Sequence, residues 1–145
     1  MDILRLLHSW NRWLLLVVIV VAVIYFLIGW LQKRPWDSRA STLVRVFPIL
    51  VDIQWALGLL FFLQLAFSSG SFDLGVLGRH NWEHAFTMTI ALLLAHVPMM
   101  WRKRAMSDEK RYRNHFLVVV GLVAVIVLGI FVLPSVIQWR FYTGA

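Results

Sequence analysis

Trp13-Leu-Leu-Leu-Val-Val-Ile-Val-Val-Ala-Val-Ile-Tyr-Phe-Leu-Ile-Gly-Trp-Leu-Gln32 runs twenty residues without a charge. A hydrocarbon core about 30 Å thick needs about 20 apolar residues of helix, so this stretch predicts a membrane span. Three more runs of that kind follow, from about Val46 to Phe67, Trp82 to Trp101 and Phe116 to Trp139. Short connections between them predict one domain over 1–145, an all-α antiparallel four-helix transmembrane bundle. Arg5, His8 and Arg12 before the first run, with no small-residue cleavage pattern after it, separate that run from a signal peptide.

Composition agrees: 61% of the 145 residues are hydrophobic and 14% charged, far from the balance of a water-soluble domain. Tryptophans at 10, 13, 30, 36, 82, 101 and 139 cluster near the run boundaries, as an aromatic belt does, while Trp55 lies inside a run. The absence of cysteine excludes disulfides, thiol catalysis, cysteine-held iron–sulfur clusters and covalent c-type haem. The net charge of +7 is not a nucleic-acid signal, because the basic residues sit directly beside apolar runs. Ten of the fourteen Lys and Arg occupy the first loop with Arg45 (Lys33, Arg34, Arg39) and the third loop (Arg102, Lys103, Arg104, Lys110, Arg111, Arg113). The positive-inside rule then predicts cytoplasmic first and third loops, with both termini and the Ser68–Gly75 loop outside.

Polar groups inside spans are costly and mark functional positions. Counting depth along the runs gives an outer set of His8, Asn11, Gln64, His80, Glu83 and His84, and an inner set of Asp52, Gln54, His96 and His115. His8 and His84 come from different helices at matching depth, the arrangement a six-coordinate b-type haem takes, one imidazole to each face of the iron. Arg5, Arg12 and Arg79 on that side are candidates for holding the two propionates. The competing reading has His8 snorkelling at the interface and His84 paired with Glu83. Asp52 and His96 both lie about 9–10 Å from the inner surface and are expected to meet, as a quinone site or as a structural pair. His115, beside Arg113 and Asn114, reads as a solvated interfacial residue, and is the one histidine available to His96 should a second haem be present. His84 and His96, twelve residues apart on one helix, differ by about 18 Å of rise, so one metal cannot use both. His80-Asn-Trp-Glu83-His84 spells H-x-x-E-H, but the acidic residues downstream, Asp108 and Glu109, fall across the membrane, and a zinc protease is rejected.

Several of these residues also carry a resemblance covering nearly the whole chain. Leu7-His-Ser-Trp-Asn-Arg-Trp13, Gly29-Trp30-Leu31, Asp52-Ile53-Gln54 with Leu57-Gly58-Leu59, Glu83-His84 and Ala95-His96 resemble the pattern of short bacterial four-helix membrane proteins labelled cytochrome B. Ala85 departs from it, standing where a Pro commonly follows the histidine. The resemblance implies a b-type haem with His8 and His84 as ligands, and His96 as a further family histidine. It also implies a multi-pass protein of the bacterial cytoplasmic membrane, engaged in electron transfer rather than stand-alone catalysis. The expected partners are the lipid bilayer with other membrane subunits or a redox partner, and quinone is a second candidate cofactor. The alternative from a different class is a cofactor-free accessory subunit that stabilises a larger membrane complex.

Overall fold

The computed structural model describes residues 2–101 and 104–142. Among them are five α-helices and no strand: α1 (Asp2–Leu31), α2 (Ser38–Ser69), the single turn α3 (Leu74–Leu77), α4 (Arg79–His96) and α5 (Asp108–Phe131). A 3-10 turn over Val97–Trp101 prolongs α4. The four long helices are each long and apolar enough to cross a bilayer. They form an up-down-up-down bundle in which α1 packs on α2 and α5, and α4 closes the ring against the same two helices.

The helices outrun the apolar stretches wherever the flanking residues favour helix. α1 begins at Asp2, eleven residues before the uncharged run, and so carries His8 and Arg12 on the helix itself. α2 begins where Asp37 accepts a hydrogen bond from the Ala40 amide at 2.8 Å, a cap that satisfies one of the orphan amides of the first turn. It ends at Gly70, whose φ of 68° is the left-handed cap that a side-chain-bearing residue would occupy only under strain. Pro48 lies inside α2, its missing amide tolerated because neighbouring helices enclose it.

α5 departs from the expected 116–139. It starts at Asp108, capped by Ser107 with Asp108 and Glu109 in its first turn, where acidic side chains favour the helix dipole. It stops at Phe131, although the apolar run continues to Trp139. Pro134 has no amide to continue the ladder, and the Leu133 amide turns back to the Ile130 carbonyl at 3.1 Å. Residues 132–142 leave the helix as a strap that crosses to α1.

Packing divides by depth. Phe26, Trp36, Tyr112 and His115 make an aromatic cluster at the end bearing the first and third loops. α1 approaches α5 there through Gly29, where a Cβ would overlap the Tyr112 ring. Leu15, Ile19, Phe47, Val51, Leu122 and Ile126 fill the middle. The outer surface is as apolar as the interior, with Phe86 70% and Leu93 67% exposed. Such a surface suits lipid, and the chain is a multi-pass membrane protein in architecture.

Candidate functional site

At the end bearing the N-terminus, the four helices part around a cavity of about 320 Å³, a volume at the low end of the roughly 300–1,000 Å³ usual for small-molecule sites. His8 of α1 and His84 of α4 both line it, so the two histidines paired on depth do share one space. Trp55, Phe61, Phe62 and Met88 supply much of the apolar wall. Arg5, Arg12 and Arg140 are the charged residues in the lining, which contains no Asp or Glu. A low-dielectric space ringed by guanidinium groups without counter-carboxylates is shaped for an anion attached to an apolar body.

His84 is held from outside the cavity. Its Nδ1–H donates to the Gly129 carbonyl of α5 at 2.6 Å. That carbonyl is in the last turn of α5, where carbonyls lack the next helical amide. With Nδ1 committed as donor, Nε2 of the neutral ring carries the lone pair, the tautomer that backbone carbonyls impose on metal-binding imidazoles. Close approach of α4 and α5 makes this possible: a Cβ on Gly129 would run into Met88 and would lie 3.2–3.3 Å from Thr87 side-chain atoms.

His8 is held differently. Asn11 Nδ2 donates to the Leu50 carbonyl at 3.1 Å and to Gln54 Oε1 at 2.9 Å. The backbone carbonyl fixes the orientation of the Asn11 amide, which fixes that of Gln54, whose Nε2 therefore faces His8 as a donor. Gln54 Nε2 lies 3.2 Å from His8 Nδ1 and 3.1 Å from His8 Nε2, so the ring accepts from it through a lone pair. Gly58 leaves room for the ring, since a Cβ there would stand 3.0 Å from His8 Cε1.

A strap closes the site. Arg12 donates to the Gln138 carbonyl at 3.1 Å and to the Arg140 carbonyl. The Tyr142 amide donates to Ser9 Oγ at 3.0 Å, and Phe141 packs between Trp10 and Trp13. Leu133, Ile137, Arg140 and Tyr142 of the strap line the cavity. Arg12 Nε is buried with no hydrogen-bond partner.

Three expectations change. Arg79 is not in the lining: its side chain is 86% exposed and pairs with Glu83 one turn on, while Arg140, carried in by the strap, stands in the site instead. Gln54 leaves the inner set, because it occupies the middle of the 32-residue α2 and turns toward His8 and Asn11. His115 is not solvated: it is 4% exposed, its Nδ1 donates to the Arg111 carbonyl at 2.7 Å, and Phe26, Trp36 and Trp101 surround it. Its early start carries α5 through this residue, so the helix packs it inward. The Asp52–His96 pair does form, with His96 Nε2 3.5 Å from Asp52 Oδ1. Trp55 lines the cavity while its Nε1 donates to Thr89 Oγ1 at 3.1 Å, tying α2 to α4.

The H-x-x-E-H residues do not converge, since Glu83 turns to Arg79 and His84 to Gly129. Among the described residues no cluster of three or more His, Asp or Glu could hold a metal. Compared with protein-family models, curated proteins and solved structures, the chain matches none.

Proposed function

We propose that this chain is a membrane b-type cytochrome that binds one haem between His8 and His84 and passes electrons within the membrane, between the quinone pool and an external partner or inside a larger assembly. The observation that carries the reading is one apolar cavity lined by two imidazoles from different helices and by three arginines without an acidic residue. The donor set fits the group. His84 presents Nε2 because Gly129 holds Nδ1. His8 offers the lone pair that now accepts from Gln54, so the Gln54 bond and an iron bond are alternatives for one ring nitrogen. Arg5 and Arg140 are available to propionate carboxylates, and the partnerless Nε of Arg12 adds a third donor.

Bound haem would supply one-electron iron chemistry; the chain's own residues orient the ring, neutralise its acidic arms and exclude water with the strap and the aromatic wall. By the positive-inside rule the cavity would face away from the cytoplasm. The second reading is the cofactor-free accessory subunit. It is favoured by the fact that both imidazoles already have hydrogen-bond partners within the protein.

A reduced-minus-oxidised spectrum of the detergent-purified chain, expressed with ample haem, separates the two. About one haem b per chain with a sharp alpha band, lost in His84→Ala and in His8→Ala, supports the cytochrome. A colourless protein, or a low-spin spectrum unchanged in both variants, rejects it.

A further inference from the structure

Away from the cavity, Asp52 of α2 and His96 of α4 form a second titratable pair within the apolar spans. His96 Nδ1 donates to the Leu92 carbonyl of its own helix at 2.9 Å. A neutral ring would then turn the Nε2 lone pair toward the Asp52 carboxylate, and two acceptors repel. The contact attracts only when a proton sits on His96 Nε2 or on the Asp52 carboxyl. At 3.5 Å it is also too long to complete the coordination of a carboxylate.

The pair lies open on the outside of the bundle, the Asp52 side chain 48% exposed and that of His96 37%. Its surroundings are exposed Ile49, Ile53 and Leu93, which suit hydrocarbon. Asp52 lies seven residues, about 10 Å of helix, inside Arg45, too far for its short side chain to reach headgroups. Hydrocarbon against an incompletely paired carboxylate is costly, and a protein surface that brings matching polar groups removes the cost.

The arrangement selects its own copy as that surface. Two chains inserted in the same orientation are related by a two-fold axis along the membrane normal, which apposes groups of equal depth. Asp52 and His96 share a depth because they touch, and with a proton on His96 Nε2 or on the Asp52 carboxyl they set an acceptor and a donor side by side on neighbouring helices. Such a patch complements its image under the two-fold, each Asp52 meeting the His96 of the other copy. We propose that the α2/α4 face is a homodimer interface closed around two Asp52 and two His96 side chains, with Ile49, Ile53 and Leu93 packed about them. The interface does not depend on haem.

The chain has no cysteine, so single-cysteine variants report self-association without background. Ile53→Cys and Leu93→Cys lie on the proposed interface, and the exposed Val17→Cys of α1 and Leu128→Cys of α5 lie on the other faces. Oxidative cross-linking in native membranes should give dimer from the first two at several times the yield of the last two. Adding Asp52→Leu, or separately His96→Gln, should reduce that yield while helical content measured by circular dichroism stays unchanged. Absence of dimer from both interface positions, or equal yields from all four, overturns the proposal. So does a yield that both second-site variants leave intact.

Discussion

Arg12→Ala should unlatch the strap that covers the cavity. Arg12 donates to two strap carbonyls, those of Gln138 and Arg140. Hydrogen bonds from a charged donor contribute about 1.5–3 kcal/mol each, and because the Arg140 bond is exposed to water the two together are worth about 2–4 kcal/mol. The Tyr142 bond to Ser9 and the packing of Phe141 between Trp10 and Trp13 remain in the variant, so the strap is loosened rather than lost. At 1.4 kcal/mol per tenfold, the open population should rise roughly 30- to 700-fold. Trypsin cleaves after Arg140 only where the backbone is released from α1, and when reclosing outpaces cleavage the rate follows the open population. Intact-mass measurement of the detergent-solubilised protein over a trypsin time course reads that rate directly. Arg12→Lys, which cannot fork to two carbonyls, should fall between wild type and alanine. A cleavage rate unchanged in Arg12→Ala would refute the latch.

Two further outcomes follow from the packing and the caps. Gly29→Ala sets a methyl group against the fully buried Tyr112 ring, whose hydroxyl donates to the Pro35 carbonyl at 3.2 Å and so cannot slide away. It should cost about 1–3 kcal/mol, seen as a lowered unfolding midpoint in detergent; an unchanged midpoint would mean that the ring moves freely. Asp37 caps α2, and the Ala40 amide, followed by the Tyr25 hydroxyl, holds its carboxyl below the ordinary value of 3.8. A depressed carboxyl stabilises the fold fully above its unfolded value and loses that contribution as pH falls through the folded one. The melting difference between wild type and Asp37→Asn should therefore be constant at neutral pH and close on acidification below about 4, and a difference independent of pH would dismiss the effect.

The four spans were legible because a backbone in hydrocarbon must satisfy its own hydrogen bonds, which forces long uncharged runs into helices. The ends of those helices were less legible. Polar first turns such as Asp108-Glu109-Lys110 extend a helix past its apolar run without raising hydropathy, and Pro134 ends one inside such a run. The same shift explains His115, judged from its charged neighbours yet packed inward by its helix. Depth survives projection onto one dimension, and His8 and His84, matched on depth, line one cavity. Which residues turn toward them does not survive it, since Gln54 and Asp52, two positions apart on α2, face opposite tasks. Arg140 could not be anticipated in the cavity without knowing that the chain doubles back after α5.

The strap also orders events in time. It follows α5 in the chain, so it is synthesised after all four long helices, and the wall it contributes through Leu133, Ile137, Arg140 and Tyr142 is the final one to be laid. Until then the chamber beside His8 and His84 stands open at that end. On the cytochrome reading proposed above, haem would enter most easily before the strap is laid, and its departure would be slowed by the Arg12 bonds that fasten the strap.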